Sequence, residues 1–133
     1  MHVSGAAWFY QKKDCNVDAL PEDLQGRNLM GVCLHPKYGG YFSARAVIIT
    51  TEKLCEVVKK PICVMDDKRD ISKLLIEMNK NWQAGLWREV HPVDLTYSDQ
   101  AKVYFNTIPK LRSSLIDEIR NHGQIVSKQP VVE

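Results

Sequence analysis

Two β-rich segments, residues 29–35 and 41–50, are joined by the short sequence HPKYGG, and this feature constrains the fold more than any other part of the chain. Pro36 cannot donate a hydrogen bond to a β-ladder, and Gly39 and Gly40 give the backbone the freedom that a tight turn requires. The pattern therefore predicts a β-hairpin.

A further strand is predicted at residues 2–13, where small and aromatic residues alternate before a polar exit. Residues 14–28 are rich in Asp, Asn, Pro and Gly and predict a long connection. Residues 51–67, with Pro61 inside them, predict a loop that has room for a short edge strand.

Three helices are predicted in the second half. The first spans residues 68–82, where apolar residues recur at helical spacing and predict one buried face: Ile71, Leu74, Leu75, Met78 and Trp82. An aspartate near its start, at 66, 67 or 70, fits a helix N-terminus. Ser98 is placed to cap a helix at 99–106, and a helix at 109–121 is predicted to begin at Pro109 and end at Gly123.

Strands followed by helices indicate an α+β fold, an antiparallel sheet with C-terminal helices. We expect one domain over residues 1–123 and a flexible tail at 124–133. Three strands make a thin core, and the sequence begins almost inside a strand, so we expect further strands from a longer protein, or a homodimer.

Composition argues against several classes of protein. Eighteen basic and sixteen acidic residues leave a net charge of only +2, which does not indicate a nucleic-acid-binding protein. The apolar run at 46–49 is too short to span a membrane, and the N-terminus does not resemble a secretory signal. The four cysteines lack CxxC spacing, which predicts reduced thiols, a cytoplasmic protein and no metal site built from side chains.

Arg45 is the most unusual charged residue, because it interrupts an apolar strand sequence. Arg45 either binds a carboxylate or phosphate, or faces solvent because side chains alternate along a strand. The sequence pattern alone favours the solvent-facing interpretation. Arg88 has two ordinary interpretations, an ion pair with Glu89 or stacking on Trp87. Arg112 fits a solvated helix flank.

No catalytic motif appears in the sequence: it contains no phosphate-binding Gly-rich loop, no HExxH and no GxSxG, so no catalytic residue is predicted. Trp8, Phe9 and Tyr10 must place rings on both faces of a strand, and core or interface packing is the simplest interpretation. Cys33 is interpreted as a small buried apolar residue, and His35 as a turn histidine.

Several sequence segments, taken together, indicate a particular protein family. HVSGAAWFYQ at 2–11, GVCLHPKYGGYFSARAVII at 31–49, Asn81-Trp82 with Trp87-Arg88, and the Tyr97-to-Phe105 segment occur in order and at suitable separations. Over residues 2 to about 115 the sequence resembles the cblC-type cobalamin trafficking family, which is named for methylmalonic aciduria and homocystinuria type C.

The resemblance implies a fold related to flavin-dependent nitroreductases, with FMN or FAD as cofactor. It implies two activities: reductive removal of cyanide from cyanocobalamin, and transfer of the alkyl group of alkylcobalamins to glutathione. It also implies base-off cobalamin binding, delivery of the product with a cblD-type adaptor protein, and a cytoplasmic location.

The resemblance also assigns residues. Cobalamin contacts are implied at seven positions: His2, Phe9, Tyr10, Gln11, Cys33, Ala44 and Tyr97. Glutathione contacts are implied at Arg45, Arg88 and Arg112, three separate arginines that would together suit a ligand with two carboxylates.

The sequence departs from the family pattern at Trp8-Phe9, which replaces a tyrosine-rich run, at Tyr41, which replaces a tryptophan, and at Ala46, which replaces a glycine. The resemblance covers only the second half of the family's domain, and we expect the first half in a longer protein. The leading hypothesis is a fragment, isoform or truncated form of a cobalamin reductase and dealkylase, carrying the glutathione arginines and one wall of the corrin site. The alternative is a shortened, non-catalytic interaction module for a full-length or cblD-type partner. A third hypothesis is an oxidoreductase that binds glutathione or flavin without cobalamin.

Overall fold

A computed structural model describes residues 5–44, 46 and 60–123. The described part contains a two-stranded antiparallel sheet and four α-helices, which confirms the α+β class. The strands are β1 (Trp8–Tyr10) and β2 (Val32–Leu34), and the helices are α1 (Glu22–Gln25), α2 (Lys68–Lys80), α3 (Asp99–Asn106) and α4 (Arg112–His122). None of the described helices is both long and apolar enough to cross a membrane.

The sheet has one core-facing side and one outer side. In its register Trp8 pairs with Leu34, Phe9 with Cys33, and Tyr10 with Val32. Tyr10, Val32 and Leu34 are buried, whereas Phe9 and Cys33 are only partly buried. Because side chains alternate along a strand, Phe9 and Cys33 share the side that faces away from the core.

Helix α2 supplies the other half of the core. Ile71, Leu74 and Leu75 are buried on it, as the predicted apolar stripe requires. They pack in one cluster with residues of the sheet, of the connection that follows β1 and of the segment before α2: Tyr10, Cys15, Leu20, Leu24, Val32, Leu34 and Met65.

The ends of the helices follow local sequence signals. The Asp67 side chain accepts a hydrogen bond from the Arg69 backbone N–H at the start of α2, and the Ser98 hydroxyl accepts one from Ala101 N–H at the start of α3. Gly123 ends α4 with a φ of 68°. The predicted helix at 99–106 is confirmed. The helix predicted at 68–82 ends at Lys80, so Trp82 lies beyond it and is exposed rather than part of the buried face. In the helix predicted at 109–121, Pro109 opens a 3-10 turn, Pro109–Leu111, and α4 begins only at Arg112.

The turn of the predicted hairpin is confirmed, whereas its second strand is not formed by the described residues of 41–50. The strand partner of β2 is β1, and residues 41–44 and 46 form no strand; the rest of the predicted second strand lies outside the described residues. The turn itself is present, because His35 and Gly39 exchange backbone hydrogen bonds of 2.9 and 2.8 Å. Gly40 and Tyr41, at the end of the turn, lie against residues 87–89.

Candidate functional site

The turn at 35–40 packs directly against a 3-10 segment, Leu86–Glu89. A Cβ atom added to Gly40 would lie 2.7 Å from the Trp87 ring and 3.0 Å from the Arg88 side chain. Contacts this short leave space for glycine alone. Gly40, the second glycine of the turn, therefore allows the turn to pack closely against Trp87 and Arg88, which are distant in the sequence.

Arg88 lies between aromatic rings. Its guanidinium carbon is 4.4 Å from the centroid of the Trp87 ring and 6.0 Å from that of Tyr97. Its Nε atom is buried and has no hydrogen-bond acceptor among the residues that the structure describes. Burial lowers the pKa of the Arg88 guanidinium; the nearby tyrosines and the Glu89 carboxylate oppose this, and the positive charge of Arg112 adds to it. An arginine still keeps its charge at neutral pH, so Arg88 offers a charged, unused donor.

Arg112, the first residue of α4, is held by backbone groups rather than solvated. Its Nε donates to the Thr107 carbonyl at 2.9 Å, and its Nη2 donates to the Phe105 carbonyl at 3.0 Å. Its guanidinium carbon also lies 5.2 Å from the Tyr104 ring centroid and 6.0 Å from that of Phe105. The interpretation of Arg112 as a solvated flank is therefore wrong.

One stacked pair of rings links the two arginines. The centroids of Tyr97 and Phe105 are 4.8 Å apart, with Arg88 over the first ring and Arg112 over the second. Tyr41 packs edge-on against Tyr97 at 5.3 Å. The arginine–aromatic cluster is defined here as these residues together: Tyr41, Trp87, Arg88, Tyr97, Tyr104, Phe105 and Arg112.

Beside this cluster, the Glu89 carboxylate accepts a hydrogen bond from the Tyr41 hydroxyl and lies 3.9 Å from Lys102 Nζ. Burial raises the pKa of the Tyr41 hydroxyl, and the bond to Glu89 raises it further, so Tyr41 is a neutral donor. Of the two ordinary interpretations of Arg88, stacking on Trp87 is confirmed. In the described part of the chain the ion-pair partner of Glu89 is Lys102.

Two positive charges among aromatic faces suit an anionic ligand. Guanidinium groups bind carboxylates through charge-assisted hydrogen bonds, and the surrounding rings reduce competition from water. Arg112 already uses two donors on backbone carbonyls, so Arg88 has the more available donors of the pair.

A second feature lies on the outer side of the sheet. A cleft of about 300 Å³ is lined by Phe9, Gln11 and five neighbouring residues: Lys12, Lys13, Asn28, Leu29 and Gly31. The Phe9 ring covers the Gly31 backbone so closely that a Cβ atom there would lie 2.4 Å from the ring. We refer to this feature as the strand-face cleft; Cys33 is the residue paired with Phe9.

The structure separates the residues predicted to contact cobalamin. Phe9 and Gln11 line the strand-face cleft, and Cys33 shares its side of the sheet, partly buried rather than fully so. Tyr97 belongs to the arginine–aromatic cluster. Tyr10 points into the core, where its hydroxyl donates to the Met65 carbonyl at 2.9 Å.

Ala44 is exposed and lies in no strand. His2 and Arg45 lie outside the described residues. Of the three predicted glutathione contacts, the structure thus brings together Arg88 and Arg112.

Sequence reasoning missed Tyr41, Glu89 and Lys102 as parts of the site. The sequence indicated Glu89 only as a partner for Arg88, and Tyr41 only as a departure from the family pattern. Gly85 was also missed: its φ is 73°, and a Cβ atom there would lie 2.0 Å from Asn106 Oδ1 and 2.8 Å from Arg88 Nη1. The available signal was a glycine, Gly85, within a segment whose sequence predicts mostly loop, residues 83–97.

Comparison with known proteins identifies the family. The family model described as "Methylmalonic aciduria and homocystinuria type C family" matches residues 1–116. The chain belongs to this family. The type C family assignment agrees with its curated relatives, named cyanocobalamin reductase / alkylcobalamin dealkylase. The chain is 34% identical to the Gallus gallus protein over 117 residues, covering 86% of the chain and 48% of the relative. It is 37% identical to the Mus musculus protein over 137 residues, covering 98% and 47%.

A solved structure of a type C family protein also matches. It is described as a B12-trafficking protein CblC from C. elegans, and the match has a TM-score of 0.73 and 28% identity. It covers 96% of this chain and 49% of the C. elegans chain. The chain therefore spans about half the length of the type C family proteins it matches.

Proposed function

We propose that this chain takes part in cobalamin processing, as a reductase that removes cyanide from cyanocobalamin and a dealkylase that transfers the alkyl group of alkylcobalamins to glutathione. Membership of the type C family supports the cobalamin part. Cyanocobalamin and alkylcobalamin are the molecules that appear in the names of its relatives.

The observation that carries the glutathione part is the arrangement of Arg88 and Arg112 on one pair of stacked rings. The buried Nε of Arg88, with no acceptor among the described residues, is suited to a ligand carboxylate. Glutathione carries two carboxylates at its ends and a thiol between them. Two arginines that hold the ends of such a ligand would orient the thiol.

In the proposed dealkylation, the glutathione thiolate attacks the cobalt-bound alkyl carbon. A carbon–sulfur bond forms, the cobalt–carbon bond breaks, and its electron pair stays on cobalt, so that cob(III)alamin becomes cob(I)alamin and a thioether is released. The described residues contribute binding and orientation, and the corrin substrate contributes the reactive bond.

Cys33 is a poor rival for the glutathione thiol. Burial raises the pKa of the Cys33 thiol, so the thiol is protonated at neutral pH and is a weak nucleophile. Its place opposite Phe9 makes it a neutral, apolar part of the sheet's outer side. The strand-face cleft, with the Phe9 ring at its edge, is the proposed contact for the corrin.

Decyanation requires electrons, and we propose FMN or FAD as their source when bound, with a fold related to the nitroreductases. We also propose one domain over 1–123 with a tail at 124–133, a cytoplasmic location, a cblD-type adaptor as the recipient of the product, and a homodimer.

The test is calorimetric titration of the full chain with glutathione. Arg88→Met keeps an apolar side chain against Trp87 but removes the charge, so we expect an affinity about tenfold lower, the effect of losing one charge-assisted hydrogen bond of ~1.4 kcal/mol. The matched control is Arg69→Met, since Arg69 is exposed on α2. Equal affinities for the two variants would contradict the proposal.

A second candidate function, a non-catalytic interaction module, is favoured by exposed apolar side chains. Trp82 and Leu86, which are 45% and 51% exposed, lie close together in the chain between α2 and α3. Such residues are common in surfaces that contact other proteins. A stable complex with a full-length family member or a cblD-type protein on size exclusion, formed without cobalamin and with no corrin absorbance change, would favour this function.

A further inference from the structure

Glu89 follows Arg88 directly in the sequence, yet its carboxylate interacts with other groups. It accepts the hydrogen bond of the Tyr41 hydroxyl and lies 3.9 Å from Lys102 Nζ. Lys102 Nζ also lies 5.5 Å from the centroid of the Tyr41 ring. Tyr41, Glu89 and Lys102 therefore contact one another in a closed set of three.

Of the two interactions that Glu89 makes, the hydrogen bond from Tyr41 is stronger than the ion pair with Lys102. Tyr41 is buried, with 7% of its surface exposed, and it comes from the turn segment, far from Glu89 in the chain. The pair with Lys102 is long and its Glu89 side chain is 57% exposed, so solvent screens it. Tyr41 sets the direction of the carboxylate, and Lys102 reinforces it.

A free Glu89 carboxylate would have an obvious alternative partner. The buried Arg88 Nε lacks an acceptor among the described residues, and leaving a buried donor unpaired is costly. The Glu89 charge already acts on Arg88, since it raises the pKa of the guanidinium against the lowering by burial. A Glu89 carboxylate released from Tyr41 would therefore be near enough to pair with the Arg88 Nε and neutralise its charge. The same donor would then no longer be available to the carboxylate of a ligand.

We propose that Tyr41 and Lys102 hold the Glu89 carboxylate away from Arg88, and so keep Arg88 available for an anionic ligand. In this arrangement, which rests on the proposed function for its ligand, glutathione, Tyr41 and Lys102 are positioning residues. They contact Glu89, and the effect proposed for them on the ligand passes through Arg88.

The test measures the ¹⁵N–¹H signal of Arg88 Nε in the full chain labelled with ¹⁵N-arginine, assigned by its loss in Arg88→Lys. Tyr41→Phe keeps the ring and removes the hydroxyl, so Glu89 is expected to pair with Arg88 and move the Nε–Hε signal downfield. Tyr41→Phe combined with Glu89→Gln has no carboxylate at position 89, and its signal should return towards that of Glu89→Gln alone. Lys102→Met should produce a smaller shift in the same direction as Tyr41→Phe.

The matched control is Tyr38→Phe, which removes a hydroxyl from the same turn, where the Tyr38 ring stacks on His35. It should leave the Arg88 signal unchanged. An unchanged Arg88 signal in Tyr41→Phe, or an equal shift with and without Glu89, would overturn the inference. If Tyr41→Phe does not fold, Lys102→Met provides the test: an unchanged Arg88 signal in that variant would overturn the inference.

Titration of the same samples with glutathione separates this inference from the proposed function. Tyr41→Phe should weaken glutathione binding about fivefold with Glu89 present, and less than about twofold in the Glu89→Gln background. Absence of any response to glutathione in the unmodified chain would contradict the proposed function. The glutathione-free signals would still decide whether Tyr41 holds Glu89 away from Arg88.

Discussion

At the scale of single residues, Tyr10 shows how one hydroxyl joins distant segments. It donates to the Met65 carbonyl and accepts hydrogen bonds from the backbone N–H groups of Met65, at 2.7 Å, and Val64, at 3.2 Å. Burial raises the pKa of this hydroxyl, which therefore stays protonated. The side chain ties β1 to the segment that precedes α2.

Tyr10→Phe is expected to lower the free energy of unfolding by about 1–3 kcal/mol, because it leaves buried backbone groups of Val64 and Met65 without their partner. Urea denaturation followed by circular dichroism measures this difference. Tyr38→Phe is the control, and its expected change is within ~0.5 kcal/mol. A loss for Tyr10→Phe as small as that of Tyr38→Phe would contradict this role.

The sequence predicted that Trp8, Phe9 and Tyr10 divide between two faces, but not which ring faces the core. That choice depends on the register between β1 and β2, and a shift by one residue would exchange the faces. The family resemblance gave Phe9 and Tyr10 the same role. In the structure Phe9 lines the strand-face cleft and Tyr10 faces the core.

At the scale of elements, the helices were predictable because their signals are local. Asp67, Ser98 and Gly123 lie within a few residues of the ends that they determine. The hairpin was not predictable in the same way, because strand pairing joins distant residues. β2 pairs with β1 across 21 intervening residues, and no local pattern at 41–50 could exclude that partner.

Gly85 joins two 3-10 turns, Trp82–Ala84 and Leu86–Glu89, and sets where Arg88 lies. Gly85→Ala should lower the free energy of unfolding by about 1–3 kcal/mol, because its φ of 73° is strained for alanine. It should also weaken glutathione binding, since the new Cβ would displace Asn106 or Arg88.

Urea denaturation and glutathione titration together check the Gly85 prediction. Gly26→Ala is the matched control, because a Cβ atom at Gly26 meets nothing within 4 Å and its φ is −82°. Stability and glutathione affinity should both be close to the unmodified values in this control. Equal behaviour of the two alanine variants would show that Gly85 does not position Arg88.

At the scale of the whole molecule, the candidate site is assembled from three separate parts of the chain. Tyr41 comes from the turn segment, Arg88 from the loop after α2, and Arg112 from the start of α4. Each is ordinary in its own sequence context, and charge and spacing could not predict that they meet. Only the family resemblance grouped Arg88 with Arg112, and the structure brings these two onto one stacked pair of rings.

The chain spans about half the length of its matched relatives, so the central question is whether its own residues support alkyl transfer. The most direct measurement is anaerobic incubation of the full chain with methylcobalamin and glutathione, with S-methylglutathione measured by mass spectrometry.

We expect this product to form faster than in protein-free solution. At low glutathione concentration Arg88→Met should reduce the rate about tenfold or more, with recovery as the glutathione concentration rises, and Arg69→Met should not reduce it. A rate equal to the protein-free rate, or equal rates for Arg88→Met and Arg69→Met, would contradict the account.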